Sequence, residues 1–448
     1  MTRKVTHSIL GAILVSLIFA VQAQAREGRL DRSFGDGGTV GVGSSVIAPG
    51  PGGSIAVIRH RRVLLLTHNG VPDRRFGHGG LLPIPARAAG WSFHSNGVAL
   101  DSRRRVLLFG WTAPWRHRWV HVGPSAERVA ISRAAVLRFL PDGRPDPSFG
   151  QGGAVVSDFG VRSEALEGRN EPTTAIAGGT VDSLDRPLFA VGAAESEGAC
   201  HGHSYTGWLP SALVRLTSSG FPDPEFGEGD GLSPSFPELA GTPFVSLALT
   251  ADDQPLMGGV LSDGCPKGAS LIRLSEAGTP LPGYGVGGRQ DFRNMSIVAF
   301  TPEGGAILER RRFGTEVVRR VTPLGLPDLS FGLDGTVTLK MSPGANPYPA
   351  AAVDPEGRIL LIGSESLPAG GSQAKRAFIV VERRLSSGSI DPGFGRRGRI
   401  KVPVPGAKNV GTLQALLDPE GRLLVLSELV KPDEYPVGPA ELTRFLLN

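Results

Sequence analysis

One eight-residue phrase returns seven times along this chain, and no other feature constrains its fold as strongly. It first reads Gly28-Arg29-Leu30-Asp31-Arg32-Ser33-Phe34-Gly35, then runs from Gly70 to Gly77 with Asp73 and Phe76, and from Gly143 to Gly150 with Asp146 and Phe149. Later copies carry Asp223 with Phe226, Asp328 with Phe331, and Asp391 with Phe394. The copy from Gly278 to Gly285 departs, with Leu281 for the Asp and Tyr284 for the Phe. The aromatic positions stand a mean of 60 residues apart, the period of a repeat array.

The context of each phrase is also repeated. Before it lies an apolar run such as Ala135 to Leu140, Ala212 to Thr217 or Ser270 to Ser275, and after it a short segment such as Gly335 to Leu339. Further on, Asp354-Pro355-Glu356-Gly357 and Asp418-Pro419-Glu420-Gly421 separate two apolar runs. Such turns have a mechanism: Pro presets φ, Asp caps the turn and Gly takes positive φ. The unit therefore holds four strands: A (Ala351 to Val353), B (Arg358 to Ile362), C (Phe378 to Arg384) and D (Gly398 to Val402) in one repeat. No segment keeps a helical period over three turns.

Seven such units predict an all-β, seven-bladed β-propeller of four-stranded antiparallel blades. The first phrase has no strand C before it, and the last strand C, Glu441 to Leu447, has no phrase after it. The N-terminal segment around Gly38 to Val42 is expected to serve as strand D of the last blade and close the ring. In each phrase the Asp is expected to bond its own turn, while Phe or Tyr packs between neighbouring sheets. The strand A segments, among them Gly97 to Leu100, Thr174 to Ala177 and Ala350 to Val353, are expected to line the axis with small residues.

These phrases resemble the delta-60 repeat family, a bacterial repeat of the form Gly-x-Leu-Asp-x-x-Phe-Gly-x-x-Gly with roughly this period. The resemblance covers residues 26–448 almost entirely, departing at Leu281 and Tyr284 and at Pro72, Pro145, Pro222 and Pro327, which replace the Leu. It implies an exported, propeller-like protein and says almost nothing about activity.

Residues 1–25 read as a secretory signal peptide, leaving 26–448 as the propeller. Arg3 and Lys4 precede a 13-residue largely apolar run, Ile9 to Val21, and Ala23-Gln24-Ala25 offers a cleavage site. Such a run is too short to span a bilayer. No later stretch is apolar enough to do so, and the product is expected outside the cytoplasm, periplasmic or extracellular. Lys and Arg number 47 against 42 Asp and Glu, too weak an excess to name nucleic acid as a partner. Gly (63) and Pro (37) are abundant, but a hydrophobic share of 40% suffices for a core.

Chemical motifs are sparse. The repeated Asp offers one carboxylate per blade, too few for calcium. No Gly-x-Ser-x-Gly elbow, His-Glu-x-x-His or phosphate loop occurs, so no cofactor and no metal are expected. Cys200-His201-Gly202-His203 with Cys265 matches no familiar zinc spacing, and a Cys200–Cys265 disulfide between consecutive B–C loops is the simpler expectation in an exported chain. The B–C loop of the second repeat, about Trp111 to Ser132, is the longest and holds Trp111, Trp115, Arg116, His117, Arg118, Trp119 and His121. Trp and Arg are enriched at binding hot spots. A second basic cluster, Arg310, Arg311 and Arg312, falls on the equivalent loop of the fifth repeat. The expectation is a monomeric binding or scaffold propeller that recognises a protein or an envelope or carbohydrate ligand through the B–C loop face. The rival is a hydrolase or lyase with a loop-built pocket on that face, using loop carboxylates and His201 or His203. A purely structural envelope protein is a third possibility.

Overall fold

A computed structural model describes residues 27–43, 46–113, 118–122, 125–129, 132–160, 174–200, 203–236, 246–262, 266–312, 314–340, 345–368, 375–430 and 440–448. It is a seven-bladed β-propeller of antiparallel blades. Blade 1 comprises strands Val46–Pro49, Ile55–Arg59, Arg62–Leu66 and Leu81–Pro83. Blade 5 comprises Ser296–Phe300, Ala306–Arg312, Thr315–Val321 and Thr336–Lys340, and blade 6 comprises Ala345–Val353, Ile359–Pro368, Lys375–Arg384 and Arg399–Val404. Blade 2 is built on Trp91–Leu100, Val106–Ala113, Arg133–Phe139 and Ala154–Ser157, with a short extra strand, Arg87–Ala88, beside strand A. In blade 3 the outer strand is represented among the described residues by the bridge Val214↔Leu232.

The turn chemistry explains the hairpins. At each A–B turn of the Asp-x-x-x-Arg type, the Asp accepts the Arg N–H with one oxygen and the guanidinium with the other. Asp354 Oδ2 lies 2.6 Å from Arg358 Nε, and Asp418 Oδ2 lies 2.6 Å from Arg422 Nε. Gly357 and Gly421 sit at φ 74°, where a side chain would be strained.

Period-2 alternation then buries both faces of every blade. In blade 6, Leu360, Ile362, Ile379 and Val381 face blade 7, whereas Ile359, Leu361 and Val380 face blade 5. Seven apolar clusters result, one at each interface between blades.

The phrase is the joint between blades. Asp146 accepts the Ser148 N–H at 3.0 Å, as a turn-capping Asp should, and Phe149 is fully buried. The closing Gly150 donates its N–H to Ser219 O of the next blade at 2.8 Å. The same bond recurs at Gly35, Gly77, Gly227, Gly285, Gly332 and Gly395, the last reaching Glu27 O at 2.7 Å. Strand C adds an arginine clamp. Arg138 lies 2.8 Å from Asp146, stacks 4.4 Å over the Phe149 ring and donates to Ser218 O of the next blade at 2.5 Å. Arg215, Arg383 and Arg444 repeat this arrangement on Phe226, Phe394 and Phe34. Their acceptors Asp223, Asp391 and Asp31 lie 2.6, 2.8 and 2.8 Å away.

The ring closes as the chain ends suggest. Thr39, Val40 and Gly41 pair with Thr443, Leu442 and Glu441, and Arg29–Leu30 pairs with Phe445 and Leu446 of the same strand. Asp31 of the first phrase and Arg444 of the last strand thus form one clamp from opposite ends of the sequence.

Candidate functional site

The axial cavity, of about 800 Å³, is lined by strand A of all seven blades. Its lining is small or apolar, with Ala48, Ala99, Ala248, Ala299 and Ala352 prominent and no Asp, Glu, His, Lys or Arg. In blade 3 the lining comes from Gly178 to Val181, the four residues before the Asp182 turn, as Gly97 to Leu100 precede Asp101, rather than from Thr174 to Ala177. Among the described residues no group of three His, Cys, Asp or Glu gathers to hold a metal.

Because the phrases occupy the C–D ends of the blades, the B–C and D–A connections emerge together on the opposite face. There blade 2 extends upward. Strand A runs from Trp91 and strand B runs to Ala113, so Trp111 belongs to a strand, not to the loop expected from sequence. The register His94↔Trp111 and Trp111↔Ala134 explains why: the ladder continues four residues past the blade body. Cross-strand pairing stacks the His94 and Trp111 rings at 4.2 Å and 13°, and Arg133 lies 5.1 Å over the Trp91 ring. Burial, then Arg61, lowers the His94 pKa, which favours the neutral ring in the stack. Beyond them the insertion forms its own hairpin, Arg118–Val122 against Ser125–Val129, with Trp119 opposite Arg128. Arg118, Trp119 and His121 are described in backbone only, and Trp115 and Arg116 lie outside the described residues.

Blade 5 carries a second feature on the same face. Arg311 and Arg312 end strand B and pair with Glu316 and Thr315, so the basic cluster is strand and not loop. Glu309 and Arg311 share the face of Ile307, which packs towards blade 6. Arg311 Nη2 donates to Glu309 Oε1 at 3.1 Å, while Glu309 Oε2 is buried without a donor. Glu316, 1% exposed, accepts the Tyr348 N–H on both oxygens at 3.1 and 3.3 Å. Burial, then the hydrogen bond with Glu309, pushes the Glu316 pKa up to about 8, which favours its protonated form at neutral pH. Beneath them Glu382, fully buried, takes Arg384 at 2.7 Å, Arg399 at 2.6 Å and the Tyr348 hydroxyl at 3.2 Å. A cavity of about 550 Å³ opens above this network, lined by Asn294, Ser296, Glu309, Arg310 and Arg311.

The structure therefore forms one group in which Trp111 stacks with His94 on one side of the blade 2 sheet and Trp91 meets Arg133 on the other, and a second in which Arg311 meets Glu309 and Glu316. It places these two groups on different blades. Trp91 and His94 escaped sequence reasoning because their partners depend on register. Glu309 left a signal, an acid on the Ile307 face of an otherwise apolar strand start. Cys200 ends strand B of blade 3 opposite His203, whereas Cys265 and the expected disulfide lie outside the described residues, as does His201.

A family model described as a domain of unknown function (DUF5122) beta-propeller matches residues 128–149, which include the third phrase. No curated protein matches the chain. Among solved structures, a protein of unknown function from Dyadobacter fermentans is 12% identical, with 81% of this chain and 96% of that chain covered and a TM-score of 0.37. A polysaccharide lyase is 11% identical, with 93% and 92% covered and a TM-score of 0.44. A PQQ-bound aldose sugar dehydrogenase from Streptomyces coelicolor is 11% identical, with 94% and 97% covered and a TM-score of 0.38. The chain is a β-propeller repeat protein.

Proposed function

We propose that residues 26–448, freed of a signal peptide at 1–25, are an exported, monomeric binding propeller of the delta-60 repeat type. Its B–C face holds an envelope component, a carbohydrate-bearing or protein ligand, in the periplasm or outside the cell. The delta-60 assignment rests on the sevenfold phrase. The binding role rests chiefly on the extension of blade 2, where the His94–Trp111 stack on one side of the sheet and the Trp91–Arg133 pair on the other stand on strands rather than on loops. Flat, half-buried aromatic groups held by a sheet suit sugar rings and hot-spot contacts alike, at little conformational cost. Two carboxylates at work on one glycosidic bond must both reach it. Among the described residues Glu309 is the one carboxylate that lines the blade 5 cavity, which favours binding over hydrolysis.

A glycan array and an overlay of envelope proteins, probed with the full chain and with a Trp91→Ala/Trp111→Ala variant, test the reading. A ligand captured by the parent and lost by the variant, at unchanged melting temperature, supports it. Equal capture by both proteins refutes it.

A further inference from the structure

Arg310 is the residue of the blade 5 cavity that nothing in the fold explains. Its neighbour Arg311 is paired with Glu309 at 3.1 Å. Arg310 shares the face of Leu308, towards blade 4, and is half-buried. Its Nε is buried without a hydrogen-bond partner, and among the described residues no carboxylate pairs with it. An anion at this guanidinium would gain a charge-assisted hydrogen bond that the described residues do not supply. Beside it, Glu309 is 7% exposed and leaves Oε2 without a donor at the cavity wall. Arg310 thus borders a cavity of about 550 Å³ without a protein counter-ion among the described residues, with Asn294 and Ser296 completing the rim.

We propose that this cavity is a subsite for the carboxylate of an acidic saccharide, with Arg310 as its counter-ion. The charges around it set the valence. Of the two guanidinium groups at the cavity, Arg311 is already paired with the Glu309 carboxylate, which leaves Arg310 for one monoanion. Of the other groups packed there, Glu382 is matched by Arg384 and Arg399, and Tyr348 keeps its hydroxyl proton because burial raises its pKa. A phosphate dianion would meet Glu309 with its second charge. Asn294 and Ser296 supply the donors and acceptors that ring hydroxyls require. A second cavity of about 330 Å³ shares Asn294 and Ser296 and gives an extended ligand room to continue along Val260, Ala269 and Ile297. The inference rests on the reading of this face as the ligand face and names the chemistry of one of its ligands.

The geometry carries a pH dependence. When Glu316, the cross-strand neighbour of Arg311, loses its proton, a further negative charge stands behind the cavity and a carboxylate is held less tightly.

The test uses isothermal titration of the full chain with a galacturonate tetramer, its methyl ester and a tetraglutamate peptide at pH 6 and pH 9. The tetramer is expected to bind at pH 6, and its ester at least tenfold more weakly. Binding should weaken severalfold at pH 9 in the parent but not in Glu316→Gln. Arg310→Gln should lose at least tenfold, and Arg310→Lys should recover part of it while both variants melt with the parent. Equal binding of acid and ester, parental binding by Arg310→Gln, tighter binding of tetraglutamate, or no binding of the tetramer overturns the proposal. The Trp91→Ala/Trp111→Ala protein separates the two levels. Tetramer binding that survives Arg310→Gln but not the Trp changes sinks the subsite and spares the face. Binding that survives both sets of changes sinks the face as well.

Discussion

Replacing Asp146 with Ala should be among the most damaging single changes outside the apolar clusters. Asp146 is 3% exposed and Arg138 is 1% exposed, so their 2.8 Å contact is screened by almost no water. The substitution strands the Arg138 guanidinium, which keeps only Ser218 O and Ser148 Oγ as partners. It also removes the acceptor of the Ser148 N–H and hydroxyl, and a second cation, Arg105, at 3.5 Å. Removing one member of a buried pair costs about 3–5 kcal/mol, and we expect roughly 4 here. Arg138→Met in the same background removes the stranded charge, so the double variant should recover about 2 kcal/mol relative to simple addition. Guanidinium unfolding followed by tryptophan fluorescence and circular dichroism, at equal m-values, measures the cycle. Asp146 →Ala within about 1 kcal/mol of the parent, or strict additivity of the two changes, would refute the clamp.

Four further outcomes follow from the same geometry. Leu281→Asp should raise the unfolding midpoint, because Arg273 has only Gln254 and Pro323 O as partners and its Nε is buried and unpaired; an unchanged or lower midpoint counts against the repeat logic. The folded Glu316 pKa stands above its ordinary 4.5, so stability should fall as pH rises from about 4.5 to about 8 and level off above, and Glu316→Gln should abolish that fall in a series of urea titrations. Deleting residues 27–43 should expose the Ala440–Leu446 edge and bring aggregation, whereas a monomer melting with the parent would deny closure. Intact-mass analysis with alkylation should find Cys200 and Cys265 oxidised in exported protein, and two freely alkylated thiols would remove the proposed staple.

The architecture was legible because the phrase supplies its own internal comparison. Phe149, Phe226 and Phe331 stand in the same surroundings, so one copy explains the others. The clamp was half-legible. Arg138, Arg215 and Arg383 each precede their Asp by eight positions, a spacing open to inspection, but the Arg444–Asp31 pair joins opposite ends of the chain. The functional face was the least legible. Strand register decides that Trp111 meets His94, and blade packing decides that Glu316 meets Tyr348 of the next repeat, and neither leaves a local pattern. Trp111 and Arg311 were found by composition and then moved from loop to strand by the ladder.

The central claim is that ligand lies on the B–C face. Hydrogen exchange read by mass spectrometry, on the full chain with and without polysaccharide extracted from the producing cell's envelope, addresses it directly. Bound ligand should slow exchange in peptides covering 91–97 and 106–113, where the Trp91, His94 and Trp111 strands rise from blade 2. The phrase turns at 67–77 and 217–227, on the opposite face, should exchange as before. Protection confined to those turns, with 91–97 and 106–113 unchanged, would contradict the account.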